Sequence, residues 1–125
     1  MSSTALAAID DVTVAPGQVT ARKTVRATDP YLAGHFPELT VYPGVFTLET
    51  ICQAVGAAIV EPIALRRVRS VRFLAPLLDG DTMTVAATIT PVDGEFDVTA
   101  RCTRADGVLV ARARLRFGEV SPRGA

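Results

Sequence analysis

The sequence predicts a single α+β domain in which one long apolar helix is wrapped by a strongly curved antiparallel sheet. Three observations predict it. Apolar residues recur at spacings of three and four from Pro43 to about Val60, period-two runs lie on either side, and Asp-Gly pairs separate the late runs. A chain of 125 residues suits one core better than two. At 49% hydrophobic and 21% charged residues it has the material for that core and is not expected to be disordered. The domain is expected to occupy 1–125, with flexible tails at 1–8 and 119–125.

Met1 to Ala8 lack the charged start and apolar stretch of a secretory signal, so a cytoplasmic protein is expected. From Gln18 to Ala27, Val19, Ala21, Val25 and Ala27 share one face and Thr20, Arg22, Thr24 and Arg26 the other, the period of a half-buried strand. Lys23 is the misfit on the apolar face. The helix follows: Val45, Leu48, Cys52, Val55 and Ile59 set its spacing, and Phe46, Ile51 and Ala54 fill other faces. Pro43 suits its start and Pro62 stops it. At 1.5 Å per residue it is about 25 Å long, and a helix apolar nearly all round must be enclosed.

Val68 to Phe73 reads as a strand, ended by Ala75-Pro76 and the Asp79-Gly80-Asp81 turn. Three alternating runs complete the sheet: Met83, Val85, Ala87 and Ile89; Phe96, Val98, Ala100 and Cys102; Leu109, Ala111, Ala113, Leu115 and Phe117. Asp93-Gly94 and Asp106-Gly107 between them supply tight hairpin turns, so the three form an antiparallel meander.

Composition excludes several functions. Thirteen basic and thirteen acidic residues cancel, and a pI near 6.6 offers no positive field for nucleic acid. Val45 to Val60 carries Glu49 and Gln53 and falls short of the roughly 20 apolar residues of a membrane span. Cys52 and Cys102 show no metal-ligand spacing and are expected reduced, with no structural metal.

Glu49 is the one charged residue between Glu38 and Glu61, in the second turn of the helix. A carboxylate taken out of water costs several kcal/mol unless paired, so an enclosed one becomes a neutral acid able to donate a proton. Gln53, one turn later, is placed to orient it. A half-exposed glutamate stabilised by the helix dipole is the alternative. His35, the single histidine, stands in Ala33-Gly34-His35-Phe36-Pro37, just before the helix start at Pro43-Gly44. Taken alone, such a residue is more often structural or solvated than catalytic. The free N–H groups of that helix start can bind a carbonyl that gains negative charge. Base, oxyanion site and acid together suit removal of a proton α to a carbonyl with loss of a β-hydroxyl.

His35-Phe36-Pro37, Val41-Tyr42-Pro43-Gly44-Val45, Leu48-Glu49 and Ala54 after Gln53 resemble the signature of the FabZ-type 3-hydroxyacyl-[acyl-carrier-protein] dehydratases, including the interval from histidine to glutamate. The resemblance extends more weakly to Val71-Arg72-Phe73, Ala75-Pro76 and Gly80-Asp81, covering about Thr28 to Phe117. It implies the hotdog fold, with His35 as general base, Glu49 as general acid, Gly44 as N–H donor to the thioester carbonyl and Gln53 supporting Glu49. Phe36, Pro37, Val45, Phe46 and Phe73 would line the substrate path. It implies no metal or redox cofactor, a substrate on acyl carrier protein or coenzyme A, and a homodimer, or a higher oligomer built from it, whose sites take histidine and acid from different chains. Thr40 stands where the family usually has proline, and Ser2 to Val14 lack its N-terminal apolar motif. A specialised member serving polyketide assembly is thereby set beside a fatty-acid enzyme.

Arg66, Arg67, Arg69 and Arg72 crowd the segment after the helix, either as a solvated face or as a docking patch for an acidic carrier protein or pantetheine phosphate. Arg112, Arg114 and Arg116 form a competing patch on one strand face. Two rivals to a dehydratase remain open at this point: a hotdog thioesterase that uses Glu49 without His35 as a base, and a non-catalytic acyl-thioester binding module.

Overall fold

A computed structural model describes residues 9–26 and 44–120. In chain order these form β1 (Asp11–Ala15), β2 (Gln18–Thr24), α1 (Gly44–Ala58), β3 (Ile63–Phe73), β4 (Thr82–Val92), β5 (Glu95–Arg104) and β6 (Leu109–Glu119). The strands make one sheet ordered β1-β2-β4-β5-β6-β3, with each neighbouring pair antiparallel. The three late runs form the expected meander. Between β4 and β5, Asp93 and Gly94 take φ of 52° and 78°, the left-handed pair that a two-residue hairpin turn requires.

Register explains where the helix sits. Val19, Ala87, Ala100 and Ala113 lie side by side across β2, β4, β5 and β6, as do Ala21, Val85, Cys102 and Ala111. All eight are buried, and the small residues leave depth on that face for a helix. α1 fills it, contacting β1, β2, β3 and β4. Thr47, Thr50, Ile51, Ala54 and Val55 are its buried stripe, repeating at three and four. The inward Thr50 hydroxyl donates to the Phe46 carbonyl at 2.9 Å, so its polar atom is satisfied inside the helix.

The structure differs from the sequence reading at several elements. β1 was not expected, yet Pro16-Gly17 turns it back onto β2, with Gly17 at a φ of 70°. β2 stops at Thr24, not Ala27. Val25 remains buried, but its N–H donates to the Asp81 carbonyl at 2.8 Å, tying it to the turn before β4. Lys23 follows the strand period in spite of its charge and is 1% exposed. β3 begins at Ile63, not Val68, because two irregularities, between Leu65 and Arg67 and between Val68 and Ser70, break its alternation. At the other end Glu119 pairs with Ile63, and the Val120 N–H donates to the Pro62 carbonyl at 2.9 Å, so the strand takes in the first residue expected in the C-terminal tail.

α1 ends at Ala58, and its own sheet encloses only one side of it: Gly56 and Ala57 are exposed. Among the described residues no helix is long and apolar enough to cross a membrane.

Candidate active site

Gly44 opens α1, so its amide and those of the next residues lack intrahelical acceptors and carry the positive end of the helix dipole. The last residue of β3, Phe73, packs its ring against this start. A Cβ built on Gly44 would lie 2.9 Å from Phe73 Cζ, closer than real contacts allow, so glycine lets ring and helix meet. Gly44, Thr47, Phe73, Leu74, Leu77 and Val110 are among the residues lining a largely apolar groove of about 440 Å³ beside it.

The acid stands further along the same helix. At 100° per residue Glu49 lies on the side of α1 opposite Thr47, Thr50, Ile51, Ala54 and Val55, so its carboxylate faces away from the protomer's own sheet. It is half-buried, the alternative that the sequence left open beside an enclosed acid. Gln53 Nε2 donates to Glu49 Oε2 at 3.1 Å, the i, i+4 contact anticipated from sequence, and leaves the other carboxyl oxygen available. Cys52 shares this face. Burial first, and then the Glu49 carboxylate, push its thiol up to about 11; burial alone pushes Cys102 up to about 12. Both thiols are therefore protonated near neutral pH. Thiol-specific alkylation of the native protein is expected to modify neither cysteine, and alkylation in denaturant both, as read by intact mass.

His35, Phe36 and Pro37 lie outside the described residues, as does the side chain of Val45. Phe46 is half-buried and packs against the core. Of the arginines after the helix, Arg66 Nη2 donates to the Glu119 carbonyl at 2.6 Å, and Arg69 Nε lies 3.8 Å from Asp97 Oδ1. Arg67 and Arg72 are exposed. Sequence reasoning missed the closeness of Phe73 to Gly44, because these residues come from different elements and nothing local links them. Among the described residues no group of His, Cys, Asp and Glu could hold a metal ion.

Gly44→Ala keeps the backbone N–H while forcing the Phe73 ring aside. It is expected to cost roughly ten- to a hundredfold in kcat/KM by disturbing the groove. Phe73→Leu in the same chain should restore most of the loss, with circular dichroism unchanged in both variants.

Comparison with solved structures defines the architecture as a hotdog fold. The dehydratase heterocomplex ApeI:P from Xenorhabdus doucetiae aligns with a TM-score of 0.74 over 84% of this chain and 90% of that one, at 16% identity. A hypothetical thioesterase with coenzyme A from Streptococcus pneumoniae aligns at 0.68 over 91% of both chains, at 14% identity. At such identities these likenesses speak for the fold alone. The family model described as ApeI dehydratase, ApeI-like, matches residues 11–114, and the chain belongs to this dehydratase family. Its curated relatives include the 3-hydroxyacyl-[acyl-carrier-protein] dehydratase FabZ of Ruminiclostridium cellulolyticum, 30% identical over 112 residues that cover 82% of this chain and 78% of the relative. FabZ of Listeria monocytogenes is 31% identical over 107 residues, covering 80% and 74%. The resemblance carried by the sequence motifs is thereby borne out.

Proposed function

We propose that this dehydratase removes water from a 3-hydroxyacyl thioester, delivered on an acyl carrier protein, to leave the trans-2-enoyl thioester. The observation that carries the reading is the Glu49 carboxyl held by Gln53 on the side of α1 away from the sheet, further along the helix that starts at Gly44 beside the apolar groove. Each group has one task. The Gly44 N–H receives the thioester carbonyl, which makes the α-hydrogen acidic. His35 takes that proton, the Cα electron pair forms the double bond to Cβ, and the Cβ–O bond breaks as the Glu49 acid protonates the departing hydroxyl. Water leaves, and transfer of the proton from imidazolium back to the carboxylate resets the pair. Phe36, Pro37, Val45, Phe46 and Phe73 line the acyl path, and no metal or redox cofactor takes part.

A homodimer supplies what one protomer lacks. The Glu49 side of α1 faces away from the protomer's own sheet and is only half-buried, and edge strand β3 exposes Val68 and Phe73. An open edge is a liability that pairing with a second copy removes. Such pairing brings the histidine of one chain to the acid of the other. The enzyme works in the cytoplasm, in fatty-acid or polyketide assembly, and Arg66, Arg67, Arg69 and Arg72 lie on the strand nearest the carrier.

The test is a panel of 3-hydroxyacyl and 2-enoyl thioesters, on carrier protein and on coenzyme A, read by mass spectrometry. Loss of the mass of water from the hydroxyacyl forms, and hydration of the enoyl forms, are expected because the elimination is reversible. Free thiol with no enoyl product would replace this reading with a thioesterase, and binding without turnover would replace it with a carrier module.

A further inference from the structure

We propose that the outer face of the sheet carries the docking surface for an acidic helix of the thioester's carrier protein, built from Arg72, Arg101, Arg112 and Arg114. This identifies a surface within the dehydratase reading and rests on it for the identity of the partner.

Register brings these arginines together from three strands. Arg72 of β3 stands opposite Arg112 of β6, which stands opposite Arg101 of β5. Arg114 lies two residues along β6, flanked by Ser70 on one side and Thr99 on the other. Strands are about 4.8 Å apart and alternate residues about 6.7 Å, so four guanidinium stems spring from a patch about 10 Å by 7 Å. All four side chains are exposed, and the patch borders a shallow groove of about 380 Å³ that Ser70 and Thr99 also line.

Like charges directly opposite each other work against a sheet. At the next position of the same face Arg67 again stands opposite Arg116, but acids compensate from the other side: Arg116 Nε donates to Asp97 Oδ1 at 2.6 Å, and its Nη1 to Glu95 Oε1 at 3.0 Å. Asp97 is also the acid nearest Arg69, and Arg114 acts on it only as a more distant charge. Arg72, Arg101 and Arg112 have no hydrogen bond or ion pair among the described residues. At one end of the face Arg116 has two acids beside it, and at the other the arginines hold their positive charge open.

The geometry favours an acidic helix. Carboxylates at i and i+4 stand about 5–6 Å apart, a spacing that matches the arginine rows, and each guanidinium can grip one with two parallel N–H groups. A nucleic-acid backbone needs a longer positive track, whereas the patch is bounded by Asp97 and Glu95 and by the uncharged Thr84, Ala86 and Thr88 of β4. Location fits delivery. Arg72 adjoins Phe73, which faces the other way onto Gly44 and the groove, so a partner on the outer face at this corner sits one sheet thickness from the helix start. Pairing of the β3 edge with a second copy extends the sheet and leaves this face open. Of the four arginines in the run after the helix, Arg72 alone belongs to the cluster.

The test compares wild type with Arg101→Glu/Arg112→Glu, using one 3-hydroxyacyl group on a bacterial carrier protein and on a truncated pantetheine thiol. The preference for carrier-bound over truncated substrate, as a ratio of kcat/KM, is expected to fall about tenfold or more, and the wild-type preference to shrink as salt rises. An unaltered ratio overturns the proposal. Calorimetric titration with unloaded holo-carrier reads docking without chemistry: wild type should bind, and the variant at least about tenfold more weakly. No wild-type binding, or equal binding by both, overturns the surface. Binding of the carrier by wild type and not by the variant, with no turnover of any thioester, leaves the surface standing and removes the dehydratase reading instead. Arg101→Gln/Arg112→Gln, which adds no acid to the sheet, serves where the glutamate variant fails to fold and should give the same direction.

Discussion

Glu49→Gln is expected to lower kcat for dehydration by about a thousandfold while KM changes little. The substitution keeps the volume of the side chain and removes the proton that the departing hydroxyl needs. It should not disturb folding, because residue 49 lies on the side of α1 away from the buried Thr50, Ile51 and Ala54, and a glutamine there can still accept from Gln53 Nε2. Initial rates of enoyl formation and a melting curve are the measurements. A kcat within tenfold of wild type would take the acid's role from Glu49. Gln53→Leu, which leaves the acid but frees it to rotate, should cost less, about tenfold in kcat with KM unchanged, a split that a purely structural glutamine would not give.

His35→Ala is expected to be as severe, about a thousandfold in both dehydration and the reverse hydration, since one group serves as base in one direction and acid in the other. Exchange of the α-hydrogen separates the two roles. With substrate deuterated at Cα, Glu49→Gln should still release label to solvent without eliminating water, and His35→Ala should release none. Retained turnover in His35→Ala would favour the thioesterase chemistry in which glutamate alone positions water.

The period-two runs of β4, β5 and β6 were legible because alternation and the Asp93-Gly94 turn are local properties of the chain, and burial of one face follows from them directly. The Glu49–Gln53 hydrogen bond was legible for the same reason, since helical spacing alone brings the two within reach. β1 was missed although Pro16-Gly17 is a turn signal, because its Val12 and Val14 alternate over too few residues and remain exposed. The true extent of β3 was hidden by its two irregularities, which put successive arginines out of phase. The sequence also suggested a helix enclosed on all sides, whereas among the described residues only the stripe facing the sheet is fully buried and Glu49, on the opposite side, is half-buried.

The sequence by itself determined the α+β class, the helix with its acid and orienting amide, and, through its motifs, the dehydratase family. Only the tertiary structure decided which distant residues meet: Phe73 against Gly44 at the helix start, Asp97 as partner of Arg116, and Arg72, Arg112 and Arg101 in one row across three strands. The physical reason is the range of the forces involved. Periodicity and turn geometry act between near neighbours in the chain, whereas strand order and register are set by how the whole apolar face closes on the helix.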